Sequence, residues 1–178
     1  MIPQLSTSEA TLMLNLLFEP CVALQTLFLS QLRDKPFTSY NDLISNVHQQ
    51  LIVLAHSPDE QNAKNLDSIL SAHPRLGEKS TKSAQSQAEQ AQLTARTEGD
   101  EEKLAQMNAA YEQTFPGLRY VVFVNGRDRA TILDDMQRRI DRNDAGVERA
   151  EAMQVSLLHR RSLCSVPRQY IQGNVCHC

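Results

Sequence analysis

Apolar residues recur at helical spacing along most of the chain, and only one short segment has strong β character. The pattern predicts an all-α fold, a single-domain bundle of about eight helices. The exception is residues 120–124, a run of Tyr, Val and Phe that ends at the turn dipeptide Asn125-Gly126. One extended segment cannot form a sheet, so we predict that it packs against helix ends or forms a wall of a site. The predicted helices cover residues 8–18, 20–32, 39–55, 59–72, 84–97, 101–115, 129–142 and 145–163.

Length and composition fit one compact domain. The chain has 178 residues, of which 41% are hydrophobic, enough for a real core. It carries 18 Lys and Arg against 21 Asp and Glu, with no basic stripe, so nucleic-acid binding is not expected. The apolar stretch at residues 11–30 is broken by Glu19 and Pro20, so neither a signal peptide nor a membrane span is expected. The expected partner is a small molecule or another protein.

The cysteines indicate reduced thiols rather than a disulfide framework. The ending Cys176-His177-Cys178 contains metal-ligand residue types, but three adjacent ligands cannot close a tetrahedral site alone, and no metal site is predicted. We expect the helical domain to span residues 1–163 and residues 164–178 to form a divergent, disordered tail. Because the chain does not end in a Ser-Lys-Leu type of address, the cytosol is the default compartment.

Two features of the sequence are candidates for a functional site: a histidine that precedes a proline, and a polar face on a predicted helix. His73 precedes Pro74, which predicts an imidazole presented where a helix stops. Ser86, Glu89 and Gln90 stand at i, i+3 and i+4, so a helix would turn them to one side. Two structural alternatives remain open. The histidine can simply interact with a helix C-terminus, and Ser86 with Glu89 can form a capping box.

Four motifs follow one another along the chain: Ala72-His-Pro-Arg-Leu-Gly77, Ser86-x-x-Glu-Gln90, Tyr111-x-x-x-Phe115 and Tyr120-Val-Val-Phe-Val-Asn-Gly126. In this order and spacing they resemble the 2-oxo-4-hydroxy-4-carboxy-5-ureidoimidazoline (OHCU) decarboxylase family, and its fungal members in particular. The resemblance runs from about Leu16 to Met153 and so covers most of the chain.

The resemblance implies an all-helical enzyme that converts OHCU, a ureide, to (S)-allantoin with loss of carbon dioxide in urate degradation. No cofactor is expected, because charge left on the ring carbon can delocalise into the adjacent C=N and carbonyl groups. His73 is then the catalytic proton donor, and Glu89 accepts from the substrate and helps to keep the imidazole charged. The implied substrate contacts are Pro74, Ser86, Gln87, Ala88, Gln90, Arg119, Tyr120, Val121, Val122 and Phe123.

After Met153 the sequence departs from the family pattern. The family's terminal helix carries an arginine expected to bind substrate, and Arg160 and Arg161 are the candidates for that role here. The alternative function is therefore a non-catalytic helical binding module, a degenerate family member whose altered C-terminus has impaired its chemistry. The resemblance also implies a homodimer, and it leaves peroxisomal residence open.

Overall fold

The computed structural model describes residues 5–34, 36–78, 100–124 and 126–164, with side chains up to residue 156. This part of the chain forms seven α-helices and no β-strand, which confirms the all-α prediction. Seven predicted helices are found with ends within two residues of those expected, and the predicted helix at 84–97 lies outside the described residues. The helices are α1 (Thr7–Leu17), α2 (Val22–Asp34), α3 (Tyr40–Ala55), α4 (Glu60–Leu70), α5 (Asp100–Thr114), α6 (Arg129–Arg142) and α7 (Ala145–Cys164).

Local sequence signals explain where several helices begin. Ser6 and Glu9 form a capping box at α1. Ser39 accepts from the backbone N–H of Asp42 at the start of α3, as its position predicts, and Asp128 caps α6 in the same way. These caps satisfy backbone donors that the first turn of a helix leaves without an intrahelical partner.

The core lies between helices that pack in neighbouring pairs. Helix α3 packs against both α4 and α7, while α1 packs against α2 and α5 against α6. Each fully buried large side chain stabilises the fold by roughly 1.5–3 kcal/mol. No helix within the described ranges is long and apolar enough to cross a membrane. The largest fully buried side chains are Leu14, Leu24, Phe28, Leu43, Ile44, Leu66, Leu70, Tyr111, Phe115, Ile132 and Met136.

The segment between α5 and α6 is a buried connector. Gly117 lies three residues after the end of α5 and has φ +86°, a conformation that residues with a Cβ rarely adopt. Residues 118–124 then run without regular secondary structure, and Leu118, Tyr120 and Val124 are buried. The connector therefore fills the core, as predicted for an extended run of Tyr, Val and Phe.

A buried polar network holds this connector against α5, α6 and α7. We define it as Tyr111, Tyr120, Asp135, Arg139, Arg142, Glu148 and Glu151. Arg139 Nη1 lies 3.1 Å from Glu148 Oε1, and the Arg139 guanidinium also lies over the Tyr120 ring, 4.9 Å from its centroid. Tyr111 donates to the same Glu148 carboxylate, which is completely buried. A buried charge is stable only when paired and hydrogen-bonded, so the network fixes the register of these elements.

The network predicts an acid-sensitive fold. Burial alone would raise the pKa of Asp135, but the hydrogen bond from Tyr120 and the charge of Arg139 hold it below its ordinary value of 3.8. The hydrogen bond from Arg142 lowers the pKa of Glu151 below 4.5. A carboxyl with a lowered folded-state pKa contributes stability above its unfolded pKa and loses it as the pH falls through the folded pKa. The free energy of unfolding should therefore fall as the pH is lowered from about 5 to 3.

Urea titrations at a series of pH values would measure this dependence. Glu151→Gln removes one of the titrating groups, so the pH dependence should become shallower in that variant even though its stability at neutral pH is lower. An identical slope in the variant and the wild type would contradict the assignment.

Candidate active site

His73 lies in the loop that follows α4. The chain leaves helical geometry after Leu70, as the proline at position 74 predicts, and the imidazole is half-buried. Its Nε2 lies 3.1 Å from Ser156 Oγ on α7. The prediction that this histidine sits at the end of a helix is confirmed.

Two side chains of α5 hold the loop that carries His73. Asn108 of α5, itself buried, donates to the carbonyl of Leu76 at 2.9 Å. Arg75 pairs with Glu112 of α5 through two hydrogen bonds of 2.6 and 2.5 Å, which lower the pKa of the Glu112 carboxyl. Because a two-point guanidinium–carboxylate pair fixes orientation as well as distance, these contacts restrain the backbone that follows His73.

Gly77 closes the same loop in a left-handed conformation. Its φ is +85°, and a Cβ at this position would lie 2.4 Å from Leu104 Cδ2. Any other residue would carry backbone strain and would require the Leu104 side chain to shift. The positive φ and the close approach of Leu104 therefore explain why the His-Pro-Arg-Leu-Gly motif ends in glycine.

His73 opens on a cavity of about 30 Å³. Most of its wall is apolar, and the polar groups on it besides His73 are Glu19, His48 and Ser156. Glu19 is only 5% exposed, so its carboxylate belongs to the interior rather than to the surface. The lining residues are Phe18, Glu19, Leu24, Ile44, His48, Leu51, Ile69, Leu70, His73, Met153 and Ser156.

The connector reaches His73 through Arg119. The Arg119 guanidinium, with its side chain 34% exposed, donates to the His73 carbonyl at 3.4 Å and lies 3.9 Å from Glu78. The side chains of Tyr120, Val121 and Val122 are buried in the core, so their contribution to a ligand would come from the backbone.

Backbone carbonyls of the connector also accept from arginines. The carbonyl of Val121 accepts from Arg139 at 3.4 Å, and that of Phe123 accepts from Arg127. Of the predicted site residues, Pro74 is therefore part of the His73 loop, and Arg119 contacts that loop from the connector. The predicted site residues Ser86, Gln87, Ala88, Glu89 and Gln90 lie outside the described residues.

Three cavity residues were missed at the level of sequence. His48 carried a usable signal, because Ile44, His48 and Leu51 stand at i, i+4 and i+7 and therefore share one helical face. Glu19 interrupts an apolar run, which suggested only the absence of a membrane span. No sequence pattern pointed to Ser156, because it is 83 residues from His73 and meets it only through the packing of remote segments.

The sequence was compared with models of known protein families. The model of the OHCU decarboxylase family matches residues 3–156. The chain belongs to the OHCU decarboxylase family. A comparison with curated proteins found no match.

Membership in the OHCU decarboxylase family indicates a role in urate degradation. The family is one of carboxy-lyases. The match begins earlier than the motifs suggest and takes in α1, the His73 loop, the connector and the first part of α7. It ends at Ser156, near Met153, where the sequence was expected to depart from the family. Helix α7 nevertheless continues to Cys164. No observation on the described residues favours the binding-module alternative.

Proposed function

We propose that this chain catalyses the cofactor-independent decarboxylation of OHCU to (S)-allantoin. The observation that carries the proposal is the His73 imidazole, which is half-buried and sits on a loop held by α5. A positioned imidazole can donate a proton near neutral pH, which is what the product-forming step requires.

The chemistry needs little from the protein beyond orientation and a proton. Cleavage of the bond between the ring carbon and the carboxylate releases carbon dioxide, and the electron pair delocalises into the adjacent C=N and carbonyl groups. The enol that results takes a proton from His73 on one face of the neighbouring, ureido-bearing carbon, and its hydroxyl loses a proton to become a carbonyl, which gives a single enantiomer of allantoin.

The remaining roles follow the family resemblance. Arg119 supplies a cation beside the His73 loop that can pair with an anionic substrate. Pro74 and the backbone of Tyr120, Val121, Val122 and Phe123 would shape the opposite wall of the site. We assign Glu89 to accept from the substrate, while Ser86, Gln87, Ala88 and Gln90 would orient the ring.

The stereochemistry of the product tests the proposal. OHCU is generated in place from urate by the two preceding enzymes of the pathway, and circular dichroism then follows the allantoin carbon. The expected result is accumulation of (S)-allantoin in proportion to the amount of this chain. Racemic allantoin formed at the uncatalysed rate, from a chain with intact helical circular dichroism, would refute the activity.

A further inference from the structure

Four charged side chains lie around the loop that carries His73. We call them the charge cluster: Arg75 and Glu78 on the loop itself, Glu112 on α5 and Arg119 on the connector. Arg75 pairs with Glu112 through two hydrogen bonds, and Arg119 Nη1 lies 3.9 Å from Glu78 Oε2. The loop, α5 and the connector therefore meet through two positive and two negative charges.

Two members of the charge cluster bind the backbone of the loop directly. Arg119 donates to the carbonyl of His73 at 3.4 Å. The carboxylate of Glu78 accepts from the backbone N–H of Arg75 at 3.0 Å, and the N–H of Glu78 donates to the Arg75 carbonyl at 3.1 Å. Both peptide groups that flank Pro74 thus have a charged partner, and hydrogen bonds to charged groups are stronger than those between neutral groups.

The members of the charge cluster also interact across it. The hydrogen bond from Arg75 lowers the pKa of the Glu112 carboxyl against the opposing effect of burial, and the charge of Arg119 lowers it further. The hydrogen bond to Glu112 raises the pKa of Arg75, and the charge of Glu78 adds to this effect. Each positive charge therefore lies near both negative charges, so the four residues form a network rather than two isolated pairs.

We infer that the charge cluster positions the His73 imidazole for proton transfer, and this inference rests on the proposed function of His73 as proton donor. Arg75, Glu78 and Glu112 are then positioning residues, because they act through the backbone of the loop. The loop contains no helix or strand, so side-chain contacts must hold it in place. A displacement of a reacting group by about 1 Å can lower the rate by about 10²-fold.

A double-mutant cycle of Arg75→Gln and Glu112→Gln tests the inference. Each single variant should lower kcat by about tenfold. The double variant should be no slower than either one, because each change already breaks the same contact. KM should change by less than about twofold, since the lost contacts lie within the protein. Arg75→Lys, which keeps the charge but not the two-point geometry, should recover part of kcat. Additive losses, or wild-type kcat in both single variants, would overturn the inference.

Lys64→Gln is the matched control for Arg75→Gln. Lys64 pairs with Glu60 at 2.8 Å in the first half of α4, and both side chains are exposed. Its replacement removes the same charge and should leave kcat unchanged. The Arg75 side chain is 52% exposed, so its variants should lower the melting temperature by less than about 4 °C. An equal loss of kcat in Lys64→Gln would mean that net charge, and not the cluster, sets the rate.

Hydrogen exchange of the loop gives a readout that does not require activity. Mass spectrometry of peptides that cover residues 71–78 should show faster exchange in Arg75→Gln than in the wild type, with the exchange of α1 unchanged. Unchanged exchange in the loop, with or without a loss of kcat, would show that the cluster does not hold it and would refute the inference. If the wild type shows no decarboxylation but the loop responds as expected, the hold of the cluster on the loop stands and the proposed function fails.

Discussion

His73→Asn should lower the turnover of OHCU by about 10²- to 10⁴-fold, the usual contribution of a positioned general acid. Asparagine has no proton to give at neutral pH, but it is small and polar and can still hydrogen-bond to Ser156. The fold should therefore survive, with a melting temperature close to that of the wild type. Measurement of kcat by circular dichroism of the product, together with thermal unfolding, separates loss of chemistry from loss of structure.

His56→Asn is the matched control for this variant. His56 is an exposed histidine at the C-terminal end of α3, and its ring Nδ1 lies 2.8 Å from the carbonyl oxygen of Ile52. Its replacement should leave turnover unchanged. Equal losses in the two variants, or full activity in His73→Asn, would show that His73 does not donate the proton. Glu89→Gln, measured in parallel, would test the second catalytic assignment.

Glu148→Ala should destabilise the fold by about 3–5 kcal/mol, the usual cost of removing one member of a buried ion pair. The variant leaves the guanidinium of Arg139, which is 5% exposed, and the hydroxyl of Tyr111 without their shared acceptor. The midpoint of urea unfolding should move to a lower concentration with little change in slope.

Glu60→Gln is the comparison for Glu148→Ala. Glu60 pairs with Lys64 at 2.8 Å on α4, and the two side chains are 83% and 65% exposed. Such a pair contributes about 0–1 kcal/mol, because water and salt screen it and two long side chains must be ordered. A loss in Glu148→Ala as small as that in Glu60→Gln would mean that the remaining charges of the network reach solvent.

The helices could be predicted because their signals are local. The spacing of apolar residues predicted seven of the helices that the structure describes. The caps at Ser39 and Asp128 are equally local, because each side chain accepts from the backbone N–H three residues later. The position of His73 at a helix end follows from the proline beside it.

The buried network could not be predicted, because its residues have the types found on surfaces. Helix α6 is rich in charge, and nothing in its own sequence distinguishes buried Arg139 from exposed Arg138. The difference arises only when α7 brings Glu148 against it. For the same reason, the contact of Ser156 with His73 depends on packing between remote segments, whereas the polar face at Ser86, Glu89 and Gln90 stays a prediction.

Within the described side chains of α7, the ion pairs to other helices lie in its first two turns. Glu148 and Glu151 join α6, and Arg149 makes two hydrogen bonds, of 2.8 and 3.1 Å, to Asp67 of α4. All of these contacts precede Ser156, where the family match ends. The first two turns of α7 are thus held by ion pairs to two different helices, so the docking of this end of the helix does not depend on a single contact.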